Sequence, residues 1–94
     1  MIAIQVQYHN MLRRHAGIRR ETLTLPAGST LGQALAQIGD HHGPSLREML
    51  FSAEGEIASH LVVFCQGKLV HGDRAAHRLS DGDELLLFPV ISGG

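Results

Sequence analysis

The fold is decided by a stretch near the end of the chain, Leu79-Ser80-Asp81-Gly82-Asp83-Glu84-Leu85-Leu86-Leu87-Phe88-Pro89-Val90-Ile91-Ser92-Gly93-Gly94. Its first part is a polar turn, in which Gly82 can take the positive φ angle that a tight reversal needs. Residues 84–88 are predicted to form a strand, and the unbroken apolar run at residues 85–88 gives it two apolar faces, which is typical of a strand inside a sheet. Residues 89–94 are predicted to form a flexible tail, because Pro89 lacks an amide donor and would help to lift the chain off the sheet.

Working back from this stretch, the sequence predicts four further strands, one of them short, and a main helix. Residues 2–8 and 20–25 alternate between apolar and polar side chains, which predicts an antiparallel pair of strands. Residues 60–66, with an unbroken apolar run at 61–65, are predicted to form another strand, and residues 68–70 return as a short one. The main helix follows Thr30, which has Gln33 at the capping-box spacing. Its apolar stripe consists of Leu31, Ala34, Leu35 and Ile38.

A second short helical turn is predicted from Pro44, and residues 52–59 are predicted to be an exposed loop. The order of elements indicates an α+β fold. If the first strand pairs beside the last and the main helix lies across one face, the chain forms a β-grasp roll with a mixed sheet of four to five strands. Residues 1–88 would form this domain, and residues 89–94 its tail.

Composition excludes several classes of function. The chain has 94 residues, which fits one domain. Its formal net charge is −1, and the sequence lacks the basic stripe that is typical of a nucleic-acid-binding protein. It has no apolar run of membrane-spanning length and no signal-peptide pattern at its start. Its one cysteine, Cys65, excludes an internal disulfide framework. We therefore expect a cytoplasmic protein that binds neither nucleic acid nor membrane.

The titratable residues do not form a catalytic or metal-binding motif in the sequence. The seven histidines lack paired ligand spacing, so we interpret them as scattered surface residues and predict no metal. Cys65 is interpreted as a buried apolar residue, and Asp81 and Asp83 as part of a turn rather than a calcium loop. No acid–base pair is evident, so we expect a protein that is not an enzyme by itself.

The glycine pair Gly93-Gly94 offers a different kind of chemistry. Two residues without a Cβ atom can pass through a narrow enzyme channel at any backbone angle. A carboxylate on Gly94 would be ionised at neutral pH and would react with nucleophiles only after activation, for example by adenylation. The alternative is a loose terminus with no function, which is common at chain ends.

The turn, apolar strand, proline and Gly-Gly of residues 79–94 resemble the C-terminal signature of the MoaD/ThiS family of ubiquitin-like β-grasp sulfur carriers. The resemblance implies that a ubiquitin-activating-type adenylating enzyme uses ATP to activate Gly94 and that a persulfide donor supplies sulfur to form a thiocarboxylate. The carrier itself would bind no cofactor. Gly93, Ser92, Ile91 and Pro89 would form the tail that reaches an acceptor synthase.

The resemblance leaves the acceptor open. Molybdopterin synthesis, with the large subunit of molybdopterin synthase as acceptor, is the pathway that the ending first indicates. Val90 stands where molybdopterin synthase small subunits usually carry a second proline, and residues 39–59 are longer than in compact members. The segment at residues 12–17 resembles the branch that serves cysteine synthesis. Cysteine or thiamine-type pathways, a ubiquitin-like modifier and a binding module with an inert tail are the alternatives.

A carrier also needs a surface on which its partners dock. Strand alternation places Leu85 and Leu87 on one face and Leu86 and Phe88 on the other. If the helix covers the first face, Leu86, Phe88 and Phe64 would lie on the open face of the sheet. Grouped apolar side chains of this kind mark partner sites. The alternative is that a second copy of the chain, or residues 43–59, covers them.

Overall fold

The computed structural model describes residues 1–90 of the chain. The elements, in order, are β1 (Ile2–Tyr8), α1 (Met11–Ala16), β2 (Arg20–Leu25), α2 (Leu31–His42), α3 (Pro44–Leu50), β3 (Leu61–Cys65), β4 (Lys68–Leu69) and β5 (Glu84–Pro89). A 3-10 turn at Arg74–Ala76 precedes β5. Within residues 1–90, no helix combines the length and the apolar character needed to cross a bilayer.

The strands form one five-stranded sheet in the order β2-β1-β5-β3-β4. β1 pairs with β2 in the antiparallel sense and with β5 in the parallel sense. β5 in turn is antiparallel to β3, and β3 to β4. This is the ubiquitin-like β-grasp arrangement, so the predicted fold class is confirmed. β5, predicted from its two apolar faces, lies at the centre of the sheet.

The helices cover one face of this sheet and enclose the core. The side chains of α2 that the apolar stripe predicted, from Leu31 to Ile38, are all buried there. Leu46 and Leu50 of α3 belong to the same cluster as Leu85 and Leu87 of β5. The segment at residues 43–59 therefore packs on the helix side, and the alternative that it covers the open face of the sheet is wrong.

The connection between β1 and β2 contains a helix that the sequence did not predict. α1 runs from Met11 to Ala16 and is capped by Gly17, whose φ of 75° is in the left-handed region that favours glycine. Leu12 and Ala16, four residues apart, are its buried side chains. Two buried side chains in little more than one turn are too few to produce a visible helical period, so the sequence contained no sign of this helix.

The turn before β5 is locked to the neighbouring strands. The side chain of Asp81 accepts a hydrogen bond from the backbone N–H of Ala3 at 2.8 Å, and Asp83 accepts one from Ser80 at 2.8 Å. Gly82, with φ of 86°, donates its N–H to the carbonyl of Ala3 at 2.8 Å. The turn therefore has the structural role that was predicted, and it sets the point at which β5 enters the sheet.

Candidate functional site

An apolar patch lies on the sheet face that carries no helix. Cross-strand pairing places Phe64 opposite Leu86 and Val62 opposite Phe88, so these side chains share a face. On the edge strand, Leu69 pairs with Phe64 and is 52% exposed. We call the group the apolar patch; it consists of Val62, Phe64, Leu69, Leu86 and Phe88. The structure thus brings together Phe64, Leu86 and Phe88 on the face where the sequence placed them, each of them half-buried.

The two phenylalanines of the patch form an aromatic platform. Their ring centroids are 5.7 Å apart and their planes differ by 18°, which is a stacked arrangement. The ring of His9 meets Phe88 edge-on at 6.0 Å, and its Nε2 atom is buried without a hydrogen-bond partner among the described residues. His9 was not predicted to belong to this site. Its position just after β1, next to the end of β5, is set by strand pairing between distant parts of the chain.

The patch has a sharp border within the sheet. On the same face, β1 and β2 present polar side chains, and Gln5 donates a hydrogen bond to Thr22 at 2.8 Å. Apart from the small side chain of Ala3, the apolar side chains on this face are therefore confined to β3, β4 and β5. A partly exposed apolar surface with a polar rim is typical of a site at which another protein binds.

Pro89 does not lift the chain off the sheet, and the prediction that it begins the tail is wrong. It is buried and is the last residue of β5, paired with Leu61. The next residue, Val90, donates its N–H to the carbonyl of His60 at 2.7 Å. Adjacent N–H groups of a strand point to opposite sides. Since the N–H of Val90 points toward β3, the donor that Pro89 lacks would have pointed toward β1. The β1–β5 pairing has already ended there, at Tyr8 and Leu87, so the proline is tolerated.

The rest of the predicted tail lies outside the described residues. This applies to Ile91, Ser92, Gly93 and Gly94, including the predicted adenylation site. Val90, the last described residue, is 48% exposed and follows directly after Phe88 and Pro89. The apolar patch therefore borders the point from which the chain continues toward Gly94.

Four arginines gather at this same end of the sheet. Arg13, Arg14, Arg19 and Arg20 are half of the eight Lys and Arg residues, and all four are exposed. We call this group the arginine corner. The carbonyl of Arg19 accepts a hydrogen bond from the N–H of Tyr8 at 2.8 Å, and α1 packs against β5. The cations are thus concentrated beside the end of β5.

Cys65 faces the core side of β3 and is 7% exposed. Its Sγ atom lies 3.6 Å from Oδ2 of Asp83, to which the thiol donates. Burial, followed by the negative charge of Asp83 and this hydrogen bond, raises the pKa of Cys65 to about 11. A protonated, buried thiol is a poor nucleophile, in agreement with its interpretation as an apolar core residue.

A second cluster of polar side chains forms where α2 ends against β2. The hydroxyl of buried Tyr8 donates to Oε2 of Glu21 at 2.5 Å, and Nε2 of His42 lies 2.5 Å from the same oxygen. Burial, helped by the hydrogen bond and the charge of Glu21, raises the pKa of Tyr8 far above its usual value. His41 stands beside His42 with ring centroids 4.9 Å apart. The interpretation of all seven histidines as scattered is therefore wrong for these two.

Comparison with known proteins agrees with the topology and the ending of the sequence. A family model described as the ThiS family matches residues 6–94, which is nearly the whole chain. The chain belongs to the ThiS family. Members of this family of small ubiquitin-like carriers are generally not catalysts, so the prediction that the chain is not an enzyme by itself agrees with its family.

Relatives of this ThiS-family chain include a protein named as a modifier. Small archaeal modifier protein 1 of Haloferax volcanii is 36% identical over 80 residues, covering 84% of this chain and 86% of the relative. A crystal structure of that protein matches with a TM-score of 0.86 and 29% identity, over 98% and 99% of the two chains. CysO of Amycolatopsis orientalis, solved in complex with BexX, shares the fold with a TM-score of 0.70 and 19% identity, over 97% and 99%.

Proposed function

We propose that this protein is a sulfur carrier whose working group is the carboxylate of Gly94. The observation that carries the proposal is the match to the ThiS family, because it runs through Gly93 and Gly94 to residue 94. A ubiquitin-activating-type enzyme joins the carboxylate to the AMP part of ATP and releases pyrophosphate. A persulfide donor then displaces AMP, and a second thiol cleaves the resulting disulfide to leave a thiocarboxylate on Gly94.

The geometry of residues 1–90 supports a carrier whose folded domain is bound by partner proteins while the reaction takes place at Gly94. β5 is hydrogen-bonded to a strand on each side, so the point from which the chain continues toward Gly94 is fixed in the sheet. The apolar patch borders this point and is large enough to include two stacked aromatic rings. In the proposal, Phe64, Leu86 and Phe88 bind the activating enzyme and then the acceptor synthase. Gly93 provides clearance in the enzyme channel.

The proposed acceptor is a biosynthetic synthase of the cytoplasm. Molybdopterin synthesis, with the large synthase subunit as acceptor, is the pathway that we favour from the Gly-Gly ending, and cysteine and thiamine-type pathways are the competing choices. Pull-down of candidate synthases with the thiocarboxylate form would decide among them. The true acceptor should remove the sulfur and regenerate the carboxylate, whereas the other synthases should leave it in place.

A second function, attachment to other proteins, is favoured by one specific observation. The chain is 36% identical to a protein named as a modifier, small archaeal modifier protein 1. The activated Gly94 would then acylate a lysine amine instead of receiving sulfur. Peptides bearing a C-terminal remnant of this chain on lysine, found by mass spectrometry of a cell lysate, would establish this use.

Intact mass after incubation with the activating enzyme, ATP and a persulfide donor tests the primary proposal. We expect the mass to rise by the difference between one sulfur and one oxygen. A chain that lacks Gly93 and Gly94 is the matched control, because residues 1–90 and their docking surface stay the same. No mass change in the full chain, with an activating enzyme that is active on another carrier, would contradict sulfur carriage.

A further inference from the structure

The cluster at the end of α2 contains three side chains of the types that bind transition metals. Glu21, His41 and His42 each offer one ligand atom, and these atoms all lie within 4.8 Å of one another. Imidazole nitrogen and carboxylate oxygen are the ligands that Zn²⁺ takes in sites with three protein ligands and an open position. Bonds of about 2.0–2.2 Å at tetrahedral angles place the ligand atoms about 3.4 Å apart. Nε2 of His42, which now lies 2.5 Å from Oε2 of Glu21, therefore has to move away from it, and the three side chains have to adjust around the ion. The exposed His41 side chain is free to make that adjustment.

The surroundings of the cluster orient its ligands. Tyr8 is 1% exposed and donates its hydroxyl to Oε2 of Glu21, so the carboxylate is fixed by a rigid group of the core. His42 and Glu21 have side chains that are only 12% and 15% exposed, which limits their rotation. Metal ligands in proteins are usually held in place by such outer hydrogen bonds. His41 completes the set from the solvent side.

We propose that Glu21, His41 and His42 form a binding site for a divalent transition metal, with Zn²⁺ as the ion that fits best. Both imidazoles and the carboxylate bind the ion directly, and water completes the tetrahedral set. Tyr8 keeps the carboxylate in place while His42 exchanges its contact with Glu21 for a bond to the metal. The site joins the end of α2 to β2. It does not depend on the proposed sulfur chemistry, because none of its three ligands belongs to the apolar patch or to residues 89–94.

The choice of metal follows from the ligand types. A site with two imidazoles and one carboxylate suits Zn²⁺, Ni²⁺ and Cu²⁺ better than Mg²⁺ or Ca²⁺, which prefer oxygen ligands. Binding requires neutral imidazoles, so acid should weaken it. Mg²⁺ is therefore a suitable negative control for Zn²⁺ in every measurement below.

Calorimetric titration of the tag-free protein with Zn²⁺ tests the site. We expect one ion per chain, a rise in Tm with added Zn²⁺, and no heat from Mg²⁺. His41→Gln should weaken binding by about 100-fold or more, because it removes a ligand from an exposed position without disturbing the core. Tyr8→Phe should weaken it by about tenfold, as loss of an outer-shell partner does. His71→Gln, at an exposed histidine far along the chain, should leave the affinity unchanged.

X-ray absorption of the Zn²⁺ form supplies an independent readout. The proposal requires nitrogen and oxygen ligands at about 2.0–2.2 Å and the loss of part of the nitrogen signal in His41→Gln. A Kd weaker than about 1 mM would overturn it. So would an affinity that His41→Gln leaves intact, or a stoichiometry of one ion per two chains, which would indicate a bridge between copies.

Discussion

The ring of Phe64 on β3 stacks on the ring of Phe88 on β5, with centroids 5.7 Å apart, on the sheet face without helices. Both side chains project from strands that pair through five successive residues, so their spacing is fixed by backbone hydrogen bonds. A rigid aromatic surface loses little conformational entropy when a partner covers it. The stack therefore gives the proposed carrier a preformed contact beside the point where the chain leaves the sheet.

Replacing either ring of this stack should weaken binding to the activating enzyme. We expect Phe88→Ala to reduce the affinity by about 30-fold, the size of effect that defines an interface hot spot. Phe64→Ala should have a similar effect, and the double variant should lose less than the sum because each ring supports the other. Surface plasmon resonance with the activating enzyme measures all three.

Thr24→Ala is the matched control for these variants. Thr24 lies on the same sheet face, but on β2 and outside the apolar patch. Its substitution should leave the affinity within about twofold. If Thr24→Ala weakens binding as much as Phe88→Ala does, with both variants folded by circular dichroism, the apolar patch is not the docking site.

The arginine corner should accelerate encounter with an acidic partner surface. Reversing two charges in Arg13→Glu with Arg14→Glu should slow association with the activating enzyme by about tenfold at low salt. The difference should shrink at about 1 M salt, where the screening length falls to about 3 Å. Stopped-flow association rates across a salt series test this. Arg47→Glu is the control, since Arg47 lies on α3 and pairs with Asp40 at 2.7 Å.

Cys65 should make the fold sensitive to alkali. Its pKa is raised from 9.0 to about 11 in the folded state, so the folded protein holds the proton more tightly than the unfolded chain. The associated stability is fully present below pH 9 and is lost as the pH rises toward 11. We expect Tm to fall over this interval and to fall less steeply in Cys65→Ala.

Between pH 9 and pH 10, the change in Tm reports on Cys65 separately from Tyr8. Tyr8 also has a raised pKa, but its ordinary value of 10.0 places the start of its effect higher. Equal slopes of Tm for wild type and Cys65→Ala between pH 9 and pH 10 would contradict the role assigned to the buried thiol. Thiol alkylation at pH 8 gives a second check, because a protonated Cys65 should react slowly in the folded protein.

Thr30 caps α2, and its loss should cost stability. Its side chain accepts from the N–H of Gln33, while the Gln33 side chain accepts from the N–H of Thr30 at 2.9 Å. Thr30→Ala should lower the free energy of unfolding by about 1 kcal/mol. Urea denaturation measures the change, and Thr30→Ser, which keeps the hydroxyl, should recover most of it.

Elements whose signals lie between close neighbours in the chain were predicted correctly from the sequence. Such signals are the capping pair Thr30 and Gln33, the apolar stripe of α2 and the alternation in β1. The apolar character of β5 on both faces likewise indicated a central strand. Phe64, Leu86 and Phe88 could be placed on one face because strand alternation is a local rule.

Features that depend on distant residues could not be read in this way. Pro89 belongs to β5 because β1 ends two residues earlier on the adjacent side, which only the strand register reveals. Glu21 meets His42 because β2 lies beside the end of α2, although 21 positions separate them in sequence. In the sequence, this cluster was indicated by the adjacent histidines His41 and His42 alone.

The parallel pairing of β1 with β5 also determines how the molecule bears a pulling force. Tension applied between the start of β1 and the far end of β5 acts along both strands in opposite directions. It therefore loads the hydrogen bonds between them in shear, all at once, instead of opening them one after another. In the proposed function, an enzyme that pulls on the end of the chain would therefore pull on a strand that resists sliding. The fold thus acts as a mechanical anchor for its own C-terminal segment.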